Sequence, residues 1–185
     1  IRLAKLRQEF ILKKYNKWYV YVVVAIAITT LQNLIREQRG KLLGYESYRI
    51  VARSMSPTLK IGDFILVDTR YYKDKPLQRG EVIVFRYPEN PSIPYVERLM
   101  AVGGDHVSIK DGTVYINNNP LAEPYLLPQQ TQQSYSTTME SRIILPDELF
   151  VLGDNRDNSK DSRYWGNVPL ANVIGKVTYI WMSTK

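Results

Sequence analysis

The sequence predicts a mainly β protein: an N-terminal transmembrane helix followed by an antiparallel domain of two packed sheets. Three observations predict it. One uncharged apolar stretch lies near the N-terminus, short apolar or alternating runs separated by turn residues follow residue 44, and no helical period appears outside the first stretch. At 185 residues the chain can form one domain with a real core plus an appendage, while a second domain of ordinary size would be crowded.

Residues 1–17 carry Arg2, Lys5, Arg7, Lys13, Lys14 and Lys17 against Glu9 alone, and are read as a basic cytoplasmic segment. Residues 18–35, WYVYVVVAIAITTLQNLI, contain no charge, and eighteen residues are just enough to cross a bilayer. Trp18, Tyr19 and Tyr21 suit an interfacial aromatic belt, and the denser basic cluster before the helix predicts an N-inside orientation with the β domain outside. Arg36, Glu37, Arg39 and Lys41 follow where a cleaved export signal would place small residues. The expected division is a basic segment over 1–17, a single-pass anchor over 18–36, a linker over 37–46 and the β domain over 47–185.

Within that domain the runs at 48–52, 64–67, 81–85, 95–102, 107–109, 113–117, 149–153 and 173–181 read as strands. Lys110, Asp111 and Gly112 supply a hairpin turn, Gly providing the positive φ that tight turns need. Residues 128–140, PQQTQQSYSTTME, are polar and aperiodic and read as a surface loop or mobile insertion. Trp165 and Trp181 are assigned to packing.

Composition narrows the chemistry. Lys and Arg total 25 against 18 acids, a net charge of +7, but much of the excess sits in the first seventeen residues beside an apolar span. No base-stacking motif accompanies it, so the expected partner is a lipid bilayer and not nucleic acid. There is no cysteine, which excludes disulfides, thiolate metal sites and a cysteine nucleophile. A single histidine, His106, leaves little room for a Ser/His/Asp triad or a zinc site. With no phosphate-binding Gly loop either, no cofactor and no metal are expected.

Three stretches hold more polar and special-geometry residues than a surface needs: RSMSPTL (53–59), YVERLMAVGGD (95–105) and GDNRDNSKDSRYWG (153–166). Singly, each reads as a turn. In this order, behind an apolar anchor and with RGEVIVFRYP (79–88) between the first two, they resemble the sequence boxes of bacterial type I signal peptidases. The resemblance covers the anchor and nearly all of the domain. It implies a serine endopeptidase in a plasma or thylakoid-type cell membrane that removes signal peptides from exported proteins, preferring small side chains at the first and third positions before the cut. By the same resemblance Ser54 is the nucleophile, its backbone N–H holds the oxyanion, and Ser159 orients the base. Asp161 and Arg163 form a supporting ion pair, while Gly153, Asp154, Asn155 and Arg156 build the adjoining strand end. Many family members add an oxyanion hydroxyl where this chain has Ala52.

The departure is Glu97. Aligned on Arg98, Gly103, Gly104 and Asp105, it falls where the family keeps its lysine base. That lysine works because burial lowers its pKa toward working pH, whereas burial raises a carboxyl and leaves an acid without useful basicity. Three readings stand side by side: a non-catalytic homologue that binds signal-peptide segments without cleaving them; altered catalysis using Glu97, His106, Lys60 or Lys160 as base; and a substitution introduced into an active enzyme.

Overall fold

The computed structural model describes residues 17–183, and the basic segment lies almost wholly outside them. The chain divides after Leu43 into two units. The first is a helix, α1, over Trp18–Leu43. Its side chains over residues 18–33 are exposed or half-buried, and Thr29 and Thr30 turn their hydroxyls back onto the carbonyls of Ala25 and Ile26, which satisfies both hydroxyls within the helix. Among the described residues no helix is long and apolar enough to cross a membrane. A helix therefore stands where the anchor was expected, but a span is not established. It also continues through Leu43, over residues read from sequence as the start of a linker.

The second unit is all-antiparallel. Strands β1 (Tyr45–Arg49), β2 (Phe64–Asp68), β3 (Val82–Tyr87), β4 (Asn90–Val102), β9 (Glu148–Leu152), β10 (Val168–Pro169) and β11 (Val173–Met182) form a seven-stranded sheet in the order β1-β2-β11-β3-β4-β9-β10. Strands β5 (His106–Lys110), β6 (Thr113–Ile116), β7 (Asn119–Pro120) and β8 (Met139–Ile143) form a second sheet in the order β7-β6-β5-β8. The expected hairpin joins β5 to β6: Asp111 and Gly112 have φ of 50° and 77°, the left-handed pair that a tight two-residue turn requires.

Each expected strand run has a counterpart, with shifted edges. The run at 48–52 is strand only to Arg49, and β1 begins earlier, at Tyr45. Strand β4 begins at Asn90, ahead of the run at 95–102, because its Pro-containing start meets β3 across a register shift where missing N–H donors are tolerated. The stretch 128–140 is not a free loop. It contains a turn of 3-10 helix (Pro128–Gln130), a short helix (Ser134–Thr137) and the first residues of β8. It is pinned by Asp157, whose carboxylate accepts the N–H groups of Gln132 and Gln133 while its carbonyl accepts the Tyr135 hydroxyl.

Three apolar clusters hold the unit. Met100, Ala101, Phe150 and Leu152 of the large sheet pack with Val107, Ile109, Val114 and Ile116 of the small one. Ile83, Phe85, Leu99 and Val151 form a second cluster, which Trp165 flanks. The third unites Ile65, Val67 and Val84 with Ile50, Met55 and Leu59 from the β1–β2 connection, and it positions the site.

Candidate active site

The β1–β2 connection, which begins after Arg49 and not at the end of the run read over 48–52, is a closed excursion. Its ends are tied by Ile50 N–H to Asp63 O at 2.8 Å and Gly62 N–H to Ile50 O at 2.9 Å, and a turn between them by Leu59 N–H to Met55 O at 2.8 Å. Met55 and Leu59, each 2% exposed, drive its middle into the third cluster. Burying two such side chains stabilises the excursion by roughly 3–6 kcal/mol and leaves Ser54 half-buried beside a cleft. That cleft, about 390 Å³, is walled by Ile50, Val51 and Met55 from the excursion and Ile93, Pro94 and Val96 from β4.

At its floor lies Glu97, 2% exposed. Its Oε1 is 3.5 Å from the Ser159 hydroxyl, a contact at the limit of hydrogen bonding, and its buried Oε2 has no hydrogen-bond partner. Burial first, then the negative charges of Asp161 and Asp154, push the carboxyl well above its ordinary 4.5; the Ser54 hydroxyl and Arg163 only partly offset this. A carboxyl so placed holds its proton into a higher pH range than an exposed one.

The last box encloses this centre from behind. Gly153 cannot carry a side chain: a Cβ there would lie 2.4 Å from Ser159 Oγ and 2.7 Å from Ser54 O, so the absence of one lets both serines approach the strand end. Asn155 N–H donates to Ser54 O at 2.8 Å, fixing the peptide of the serine. Asp161 accepts Gly153 N–H at 3.0 Å and grips Arg163 with two contacts of 2.8 Å, and Arg163 passes on to Arg156 O at 2.7 Å. Arg156, fully buried, donates to Gly153 O and pairs with Glu123. Asp154, also fully buried, takes Arg98 through contacts of 2.8 and 2.6 Å and accepts the Thr58 hydroxyl.

The structure thus brings Ser54, Glu97 and Ser159 together and surrounds them with Gly153, Asp154, Asn155, Arg156, Asp161 and Arg163. It does not bring in the other candidate bases equally. His106 is exposed on β5 in the small sheet, Lys60 lines a neighbouring depression, and only exposed Lys160 borders the cleft. Sequence reasoning assigned no part to Arg98, Thr58, Glu123 or Tyr125. The first two stood in boxes already singled out. Glu123 and Tyr125 lie in a stretch without a motif and reach the site only through the fold, Tyr125 presenting its ring 3.7 Å from the Arg98 guanidinium. Among the described residues no cluster of three or more His, Cys, Asp or Glu could hold a metal ion.

The model of one protein family, described as signal peptidase, peptidase S26, matches residues 16–182. The chain belongs to that family. Signal peptidase I of Pseudomonas aeruginosa is 32% identical over 98% of this chain and 76% of its own. Signal peptidase IB of Staphylococcus aureus is 33% identical over 90% of this chain and 89% of its own. A crystal structure of a signal peptidase I from Enterococcus faecalis aligns with a TM-score of 0.49 at 33% identity, covering 56% of this chain and 98% of that one. The protein is therefore by family a serine endopeptidase of the kind that removes signal peptides, with two antiparallel sheets as its catalytic-type unit.

Proposed function

We propose that the cleft binds the segment preceding the cleavage site of exported pre-proteins as an added strand against residues 93–97, with Ser54 as the nucleophile and Glu97 in place of the family's lysine. The observation that carries this reading is the burial of Glu97 at the floor of the cleft, with Oε2 unpartnered. Buried, partly unpartnered and pressed by Asp161 and Asp154, the carboxyl is pushed toward its protonated form, a poor proton acceptor for the serine, so peptide is held while turnover is slow or lost. Where Glu97 does ionise, at higher pH, it offers basicity but also sets a negative charge beside the developing oxyanion, which opposes the gain.

The backbone edge of β4 supplies main-chain hydrogen bonds for an extended peptide, and the small apolar cleft beside Ser54 suits the side chains before the cut. Gly153, Asp154, Asn155, Arg156, Asp161 and Arg163 hold Ser54 and Ser159 in position. Ser159, beside Glu97, would orient a lysine at that place. Membrane attachment by residues 18–36, with the N-terminus inside and the β unit outside, is supported by the uncharged run over 18–35 and by the exposure of Trp18, Tyr21, Val23, Ile26 and Leu31; resistance of the protein to alkaline extraction from membranes tests it.

The peptide reading is tested by binding of a fluorescent peptide containing an Ala-x-Ala site to the full chain in detergent. Replacing the two alanines with tryptophan should abolish binding. Equal affinity for both peptides would overturn the reading.

A further inference from the structure

A second depression, of about 480 Å³, adjoins the apolar cleft: Arg53 and Asn158 line both. Its chemistry differs. Arg53, Lys60, Ser56, Asn155, Asn158 and Gln130 dominate the wall, with Ile61 as its apolar member. The side chains of Arg53 and Lys60 are exposed, and neither forms an ion pair among the described residues. The acids close by in sequence are engaged elsewhere. Asp63 accepts the Lys60 N–H and the Ser183 hydroxyl, Asp154 is held by Arg98, and Asp157 by the N–H groups of Gln132 and Gln133. The result is a hollow with two uncompensated cations and several amide and hydroxyl groups, open to solvent and contiguous with the cleft at Ser54.

We propose that this hollow receives the first residues that follow the bond held at Ser54 and selects an acidic side chain there. The inference rests on the peptide-binding reading of the apolar cleft and adds the charge preference beyond it. Arg53 precedes Ser54 and Ser56 follows it by two, so an extended chain passing Ser54 needs only one or two residues, about 3.3 Å each, to enter the hollow. The apolar cleft suits the small side chains before the bond, which leaves the polar hollow for those after it. A carboxylate is the group that complements it: it accepts from Arg53 and Lys60, neither of which is paired with an acid among the described residues, and from the amides of Asn158 and Gln130.

The experiment compares two fluorescent peptides that share an Ala-x-Ala segment and differ only in carrying Asp or Asn at the two positions after it. Both are titrated into the full chain bearing Ser54→Ala in detergent. At low salt the Asp peptide should bind about threefold to tenfold more tightly, the range that two solvent-screened charge contacts supply. The ratio should shrink on adding salt and fall to one in the Arg53→Gln, Lys60→Gln double variant. Equal affinities, or a ratio unchanged in the double variant, overturn this inference while leaving the peptide-binding reading intact. Binding of neither peptide overturns both.

Discussion

Replacing Glu97 by glutamine should make the protein more stable, by an amount that grows with pH. The folded chain keeps the Glu97 proton above 4.5 because burial and the charges of Asp161 and Asp154 disfavour the carboxylate, whereas the unfolded chain releases it near that value. Between 4.5 and the raised folded value the native state therefore binds more protons than the unfolded state, and stability falls as pH rises. This contribution is fully present below 4.5 and is lost as pH climbs through the folded value, the reverse of a salt-bridged carboxylate. Within that window each pH unit removes about 1.4 kcal/mol, which for a chain of this size lowers Tm by about 3–6 °C. Glutamine has nearly the same shape and no proton to lose. Thermal unfolding of both proteins in the same detergent, from pH 5 to pH 8, should give curves that diverge with pH, while effects of other titrating groups cancel in the difference. Parallel curves would refute the claim that burial and the neighbouring charges raise the Glu97 carboxyl.

Other outcomes follow from the same geometry. Asp161→Asn should narrow the pH window over which Glu97→Gln stabilises, since Asp161 is the largest charge raising that carboxyl; the same melting series checks it. Arg98→Met should cost about 3–5 kcal/mol, because Asp154 is fully buried and would lose its guanidinium partner, and chemical denaturation measures the loss. Gly153→Ala should weaken Ala-x-Ala peptide binding tenfold or more, as its Cβ must displace Ser159 or the carbonyl of Ser54; unchanged affinity would show that neither serine is set by this strand end.

The parts of the fold legible in the sequence were those whose pattern is local. The run VIVF lies in a central strand with consecutive buried residues, and FILV alternates buried and half-buried positions, so both read as strands without knowledge of their neighbours. The small sheet's β8 has a mostly exposed pattern, MESRI, and is a strand because β5 offers it an edge, a fact absent from its own residues. Stretch 128–140 looked unstructured for the same reason: its order comes from Asp157, some twenty residues on. The site divides in the same way. Ser54, Glu97 and the last box carried their resemblance in contiguous residues, but the burial of Glu97 and the partnership of Glu123 with Arg156 depend on contacts across 62 and 33 positions. Ser54's place in an anchored excursion likewise follows from Met55 and Leu59 finding a core that the sequence does not display.

On the proposed reading a signal peptidase scaffold stands intact here and Glu97 alone removes its proton acceptor. Cleavage of a pre-protein with an Ala-x-Ala site, at neutral pH in detergent or lipid, tests it with three proteins: the chain itself, Glu97→Lys and Ser54→Ala. Glu97→Lys should cut, burial lowering the lysine pKa so that it can take the Ser54 proton, and the chain itself should cut far more slowly or not at all. Efficient cleavage by the chain that disappears in Ser54→Ala would contradict it, because another group would then be serving as the base.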